Sequence, residues 1–184
     1  LFYKEEQPKQ TCSAPVAQLT FANLIREAQR YGQSSILSSE NLDNLIDSLP
    51  AGPHRVLATI LRFTAARVSE ARLLTWAAIS DTHILFVKHN TKTKISREVP
   101  MSPILLEVLN RWRAQTNPKQ SDFIIPGGII GKPMSRQAFD KQLRATCEQL
   151  GLSGVSTHSF RRTCLTTAND KGISLRHLQA ISGH

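Results

Sequence analysis

The spacing of hydrophobic residues changes in one place along this chain of 184 residues, and that change limits the possible folds. Over most of the sequence the apolar residues recur at helical spacing, whereas residues 82–89 (THILFVKH) and 97–101 (REVPM) are rich in β-forming residues. A polar turn with two lysines separates the two runs, which is typical of a β-hairpin. The pattern therefore predicts a mainly α protein with one small β-hairpin, an α+β fold.

Capping residues and apolar stripes predict seven helices from position 39 onwards, marked by Ser39, Val56, Arg67, Ser102, Ser135, His158 and Ser174. Ser39 is expected to be the N-cap of the first helix. The third helix is expected to follow Arg67 and to carry Leu73 and Leu74, and the last is expected to turn Leu175 inward. The run DFIIP (122–126) is predicted to be a short buried extended segment.

The domain organisation is predicted to be simple. Residues 1–34 are polar and are expected to form an N-terminal extension or linker, and residues 35–184 are expected to form one domain. Three widely spaced cysteines argue against a disulfide framework or a zinc ribbon and fit a reducing cytoplasm. No apolar run approaches the ~18 residues that a membrane-spanning helix needs.

The charge balance favours a polyanionic partner. The chain has 23 Lys+Arg against 14 Asp+Glu, a formal net charge of +9. A basic excess of this size indicates nucleic acid first, with a basic domain that binds no polyanion as the alternative.

Five cationic or titratable residues stand at the ends of predicted elements. Arg67 is at a helix–helix junction, Lys92 is at the hairpin tip, and His184 follows a helix end. His158 and Arg161 are three apart at a helix start, so they share one face near free backbone N–H groups. Such a set can surround one phosphate, because arginine donates paired hydrogen bonds to phosphate oxygens and fixed donors stabilise the charge of a phosphoryl-transfer transition state.

Each of these residues also has a simpler explanation when taken alone. Arg67 could pair with Glu70, and Lys92 could be one of several solvated turn lysines. His158 could cap a helix, and His184 could be a cation at a helix C-terminus. The functional interpretation therefore depends on their joint order and local sequence.

Three segments carry a family resemblance that spans residues 36–184. HSFRRTCLTTANDKGISLRHLQAISGH (158–184) resembles the His-x-x-Arg block and terminal Gly-His of the tyrosine-type site-specific recombinases, the phage integrase family. TAARVSEARLLTW (64–76) resembles the first arginine block of that family, and KTKISREVPM (92–101) resembles its hairpin lysine segment.

The resemblance implies a role for each matched residue. Arg67 and Arg161 would clamp the phosphate, and Lys92 would be the general acid on the hairpin. Lys94 is the competing candidate for that acid and otherwise a DNA contact. His158 and His184 would be the two residues of the histidine block.

Arg162 is expected to be a surface residue or a contact to the DNA backbone. The sequence departs from the family pattern at Ala65, where glycine is usual, and at Ser182, where leucine is common.

The implied reaction is DNA strand cleavage and rejoining through a 3′-phosphotyrosine, without metal or cofactor. The tyrosine is expected beyond His184, since Tyr3 and Tyr31 both lie upstream of every matched block. The helical DNA-clamping domain of the family is expected to be missing, since 34 residues are too few to form it. The implied setting is the nucleoid of a prokaryote or a phage-infected cell.

The expected partner is double-stranded DNA, with a homo-tetramer on paired sites implied by the resemblance. Two alternatives stay open: a type IB topoisomerase-like enzyme, and an inactive DNA-binding relative or regulator that lacks the tyrosine. A metal-dependent nuclease is disfavoured, because the sequence shows no carboxylate cluster of the two-metal kind.

Overall fold

A computed structural model describes residues 34–91 and 94–183, and within them the chain forms seven α-helices and one two-stranded sheet. The helices are α1 (Ser39–Ser48), α2 (Pro53–Thr64), α3 (Val68–Ala71), α4 (Pro103–Thr116), α5 (Arg136–Gln149), α6 (Thr157–Asp170) and α7 (Leu175–Ser182). Strands β1 (His83–Phe86) and β2 (Arg97–Pro100) pair antiparallel, and a 3₁₀ turn follows each of Thr75 and Val87. The predicted mainly α fold with one hairpin is confirmed.

Polar side chains and prolines begin the helices. Ser135 Oγ accepts a hydrogen bond from the Ala138 N–H at 3.1 Å and starts α5 as predicted. Ser38, not Ser39, is the N-cap of α1: Ser38 Oγ accepts from the Asn41 N–H at 3.1 Å, whereas Ser39 is already helical. The prediction for α1 was wrong by one residue, because adjacent serines offer equivalent caps and only the chain direction before the helix selects one.

The core is organised around α2, which packs against α1, α4 and α6. Its buried apolar residues belong to one hydrophobic core with side chains from the other helices, among them Leu45 from α1, Leu109 from α4, Phe139 from α5 and Phe160 from α6. In the segment DFIIP, Ile124 and Ile125 are fully buried as predicted, and the Ile124 N–H donates to the Leu74 carbonyl at 2.9 Å. The segment is not extended throughout, since it bends at these two residues between isolated β-bridges at Phe123 and Pro126. The C-terminal end of α2 is buried at Thr64, and so are the two residues that follow it, Ala65 and Ala66.

Three further expectations about local structure were wrong. Helix α3 ends at Ala71, so Leu73 and Leu74 lie beyond it, where the chain turns to pair with the segment around Ile124. Strand β1 ends at Phe86, and the next residues make a 3₁₀ turn. Leu175 is 70% exposed, because the inward face of α7 is set by Leu178.

Residues 1–33, 92, 93 and 184 lie outside the described residues. The predicted N-terminal extension (1–34) falls almost entirely among them, as do Lys92 and His184. Within 34–91 and 94–183, none of the helices combines the length and the apolar composition that crossing a bilayer requires.

Candidate active site

A cleft of about 410 Å³ opens between the start of α3, the start of α6 and the loop after β1. Arg67, His158 and Arg161 all line this cleft, together with Asn90 and Arg136. Residues that are about 90 positions apart in sequence therefore meet at one site, as the predicted constellation requires.

Arg67 occupies the junction between α2 and α3 and is held there by a carboxylate. Its Nη1 donates to Glu70 Oε1 at 2.9 Å, and its backbone N–H donates to Glu70 Oε2 at 3.3 Å. The ion pair that the sequence suggested is present, yet the Arg67 side chain still lines the cleft and keeps 22% of its surface exposed. Pairing with Glu70 and facing the cleft are therefore compatible.

Glu70 is almost fully buried and serves two arginines. Burial raises the pKa of its carboxyl group, but hydrogen bonds from Arg97 and Arg67 outweigh burial and leave the pKa below its usual value. Glu70 thus remains a carboxylate and orients Arg67 toward the cleft.

Arg161 is the most buried arginine that lines the cleft, at 7% exposure. Its Nη1 donates to the Ala65 carbonyl at 2.7 Å and its Nη2 donates to the Ser182 carbonyl at 2.9 Å. Burial, together with the positive charge of Arg67, lowers its pKa to about 10. The position of Arg161 near a helix end predicts little burial, and this prediction is wrong. Arg161 is buried because α6 packs against α2 and its neighbours Ser159 and Phe160 are fully buried, although His158 on the same turn is exposed.

Ala65 makes this contact possible by adopting a left-handed conformation, with φ of 50° and ψ of 21°. Glycine is the usual residue in such a conformation, and any side chain there costs roughly 1 kcal/mol or more. The turn points the Ala65 carbonyl at Arg161, and α3 starts three residues later at Val68. Alanine therefore adopts the left-handed conformation at the position where the family pattern has glycine.

His158 stands exposed at the mouth of the cleft on the first turn of α6. Its backbone N–H donates to Ser156 Oγ at 3.2 Å, so Ser156 is the cap of this helix and His158 is not. The imidazole is therefore presented to the cleft instead of closing the helix end.

The two expected DNA contacts lie outside the lining of the cleft. Arg162 Nη1 donates to the Ser34 carbonyl and so ties the start of the described chain to α6. Lys94 is exposed, with a φ of 57°, and its N–H donates to the Thr91 carbonyl at 3.3 Å.

The described neighbours of Lys92 and His184 are close to the site. Thr91 precedes Lys92 and lines the cleft. Ser182 lies two residues before His184, and its carbonyl accepts from Arg161.

Three residues of the site were not predicted from the sequence. Arg97 is the second partner of Glu70, and Arg136 and Asn90 line the cleft. A signal existed for two of them. Arg97 opens the Arg-x-Val-Pro part of the matched hairpin segment, and Arg136 follows the helix cap Ser135 at an element end.

Cavity size alone would not identify this site. Two other cavities, of about 440 Å³ and 540 Å³, border Trp112 and the loop that contains Gly128. Their charged or titratable lining residues are Asp122, Lys132 and His54, and no arginine lines either cavity. Within the described part of the chain, no group of three or more His, Cys, Asp or Glu side chains is placed to hold a metal ion.

The structure thus combines a mainly α fold with an arginine-rich cleft, and comparison with known proteins assigns its family. A model of the phage integrase family matches residues 36–184, so the chain belongs to this family.

Two curated relatives are prophage integrase IntZ of Escherichia coli (strain K12) and tyrosine recombinase XerD of Halalkalibacterium halodurans. IntZ is 29% identical over 86% of this chain and 39% of its own length, and XerD is 28% identical over 80% of this chain and 52% of its own length. The chain spans about half the length of the curated relatives it matches.

Among solved structures, the XerH site-specific recombinase bound to its difH substrate has a similar fold. The TM-score is 0.67 at 22% identity, over 83% of this chain and 47% of that one.

Proposed function

We propose that this chain carries the catalytic domain of a DNA recombinase that breaks and rejoins strands through a 3′-phosphotyrosine, with residues 35–184 as that domain. The observation that carries the proposal is the convergence of Arg67, His158 and Arg161 on one cleft. Two guanidinium groups and an imidazole are the donors that a phosphodiester undergoing transesterification requires.

Each side chain has a distinct part in the proposed reaction. Arg67 and Arg161 bind the non-bridging oxygens and stabilise the charge of the pentacoordinate transition state. His158 and His184 donate hydrogen bonds to the same phosphate, and His158 takes part in proton transfer with the tyrosine. Lys92 protonates the leaving 5′-oxygen from the hairpin loop. The bond energy stays in the phosphotyrosine, so rejoining by a 5′-hydroxyl needs neither ATP nor a metal ion.

The attacking tyrosine is proposed to come from a segment that follows His184 in a longer protein. Tyr3 and Tyr31 are the two tyrosines of the chain, and neither belongs to a matched block. Lys94 and Arg162 are proposed as contacts to the DNA backbone.

The names of the relatives support DNA as the partner. XerD is called a tyrosine recombinase, and XerH was solved with its difH substrate. The net charge of +9 fits such a partner. We extend the proposal to a homo-tetramer acting on paired DNA sites, as the resemblance to site-specific recombinases implies.

The experiment compares residues 1–184 with a version extended through the following tyrosine, each incubated with labelled nicked duplex DNA and run on a denaturing gel. We expect a covalent adduct from the extended version alone. An adduct from residues 1–184, mapped to Tyr3 or Tyr31, would disprove the assignment of the nucleophile. No adduct from the extended version would favour an inactive DNA-binding relative, and relaxation of supercoils without strand exchange would favour a topoisomerase.

DNA binding by residues 1–184 is tested separately with a mobility-shift titration on unrelated duplexes. Lys and Arg contacts to phosphates release counterions, so the affinity should fall steeply as salt rises and should depend little on sequence. Absence of binding at low salt would contradict DNA as the partner.

A further inference from the structure

We propose that Arg97 is a positioning residue of the cleft. It holds the Arg67 side chain and the turn before His184 in fixed positions relative to each other. The inference rests on the proposed function, since it assigns Arg97 to the same site. Arg97 opens β2 and lies outside the lining of the cleft, so it acts through other residues.

The first connection runs from Arg97 through Glu70 to Arg67. Arg97 Nη2 donates to Glu70 Oε2 at 2.6 Å, while Arg67 Nη1 donates to Glu70 Oε1 at 2.9 Å. Oε2 also accepts the Arg67 backbone N–H at 3.3 Å, so Arg97 and Arg67 together hold both oxygens of the carboxylate. Because Arg97 makes the shortest of these contacts, it helps to set the orientation of Glu70 and, through it, that of the Arg67 side chain.

The second connection runs from Arg97 to the end of α7. Arg97 Nε donates to the Ile181 carbonyl at 2.9 Å, and Arg161 Nη2 donates to the Ser182 carbonyl at 2.9 Å. The last carbonyls of a helix lack partners within the helix and carry its negative dipole end. Two arginines from different elements therefore hold consecutive carbonyls immediately before the Gly-His turn.

The position of the Arg97 guanidinium is itself tightly determined. It stacks over the Phe86 ring at 4.5 Å from the centroid, and Arg97 is only 8% exposed. A Cβ atom built on Gly183, which has a φ of 70°, would lie 3.2 Å from Arg97 Nη1. A side chain at position 183 would therefore crowd the guanidinium, because the turn passes close to it.

A purely stabilising role accounts poorly for this arrangement. A buried ion pair offsets much of its attraction by the cost of desolvation, so it is weak evidence for stability. Moreover, Arg97 Nη1 is buried and has no hydrogen-bond partner within the described residues, which further lowers any net gain. The contribution of Arg97 is geometric, since two nitrogens of its planar guanidinium donate to a carboxylate and to a helix carbonyl at once. A lysine ammonium donates from a single nitrogen and does not reproduce this fixed fork.

The test uses the 184-residue chain with ¹⁵N-labelled arginine. The Nε–H resonance of Arg67 reports how its guanidinium is held, without any need for DNA or the tyrosine. The variants are Arg97→Lys, which keeps the charge, and Arg97→Met, which removes it. Arg113→Lys is the matched control, because Arg113 also stacks on a ring, that of Trp76 at 5.4 Å, but lies outside the lining of the cleft.

Both Arg97 variants should shift and broaden the Arg67 signal and weaken binding of inorganic phosphate about tenfold, roughly the effect of one lost charged hydrogen bond. The control should leave both measurements unchanged. An unaltered Arg67 signal in a folded Arg97→Lys chain, or full rescue by lysine of what methionine loses, would overturn the proposal. If neither Arg97 variant folds while the control does, Arg97 is a stability residue and the proposal also fails.

The two proposals can fail independently. If the unmodified chain binds no phosphate, the cleft is not the anion site that the proposed function requires. The Arg67 resonance still decides the role of Arg97 in that case.

Discussion

Arg67 and Arg161 line the same cleft, but the protein holds them by different means. Arg67 is partly exposed and is oriented by the Glu70 carboxylate at 2.9 Å. Arg161 is buried and donates to the carbonyl oxygens of Ala65 and Ser182. Arg67 is thus held by a carboxylate with a full negative charge, whereas the groups that hold Arg161 include two uncharged backbone carbonyls.

The difference shows how arginine side chains can be oriented in a cleft without cancelling its positive charge. A carboxylate orients an arginine, but the pair carries no net charge. Carbonyl groups also orient an arginine, and they leave its positive charge uncompensated. Glu70 is shared between Arg67 and Arg97, so one negative charge is paired with two guanidinium groups. Arg161 adds a third positive charge to the site. The site therefore keeps a net positive charge while its side chains stay fixed.

The largest effect is expected from Arg161→Ala in the tyrosine-containing protein. Cleavage should fall by at least ~10²-fold, because a fixed donor to the transition-state charge is lost. Stability should fall by about 2 kcal/mol as well, because two carbonyls lose a charged donor. The measurements are covalent adduct formation on a suicide DNA substrate and thermal denaturation. Arg111→Ala on an exposed helix face is the control, and near-normal cleavage by Arg161→Ala would contradict the assignment.

Arg67→Ala should reduce cleavage by a similar factor of ~10² but should change stability less. The physical reason is that Arg67 is partly exposed and that Glu70 keeps Arg97 as a partner after the substitution. The same two assays separate the variants. A loss of stability as large as that of Arg161→Ala would remove the distinction between the two arginines.

Lys92→Ala tests a third cation, carried by the hairpin loop instead of a helix. With a normal phosphodiester the cleavage rate should fall about 10²-fold, as for loss of a general acid. With a 5′-phosphorothiolate the leaving sulfur needs no proton, so the rate should recover. Lys94→Ala should matter little on either substrate. The opposite pattern would transfer the role to Lys94.

Glu70→Gln tests the carboxylate that distinguishes the two arginines. The variant should be less stable than the unmodified chain by about 3 kcal/mol near neutral pH, because two guanidinium groups lose their counter-charge. The folded pKa of Glu70 lies below the ordinary value of 4.5, so its contribution is complete above that value and is lost as pH falls through the lower folded pKa. Denaturation midpoints measured across this range should therefore converge for the two proteins in acid. A difference that persists unchanged at low pH would count against the charged pair.

Ala65→Gly should have the smallest effect. Relief of the left-handed strain at φ of 50° is offset by the loss of a buried methyl group and by the greater freedom of glycine when unfolded. The net change in stability should stay within about 1 kcal/mol, and phosphate affinity should not change. A substantial loss of phosphate affinity would mean that the methyl group itself keeps the Ala65 carbonyl aligned with Arg161.

Much of this organisation could be predicted from local sequence. The helices around Phe139 and Leu109 follow from their apolar spacing and caps, and the hairpin follows from the change of period before Arg97. Arg67, His158 and Arg161 were selected because they stand at element ends within specific motifs, and the fold brings all three to one cleft.

The errors share a physical cause. The N-cap at Ser38, the early end of α3 and the exposure of Leu175 depend on where the chain goes next, which a periodic pattern does not contain. The burial of Arg161 was missed because exposure near a helix end depends on what packs against that end.

The sequence by itself determined the kinds of element, the residues that cap most of them and the residue types that gather at the cleft, because these follow from short-range sterics and hydrophobic spacing. Only the tertiary structure decided that Arg67 and Arg97 share Glu70, and that Arg161 and Arg97 hold adjacent carbonyls at the end of α7. Apart from Arg67 and Glu70, which are three positions apart and whose pairing the sequence suggested, those partners lie between 21 and 84 positions apart in the sequence. Long-range hydrogen bonds of this kind are selected by the shape of the packed core, and no local pattern encodes that shape.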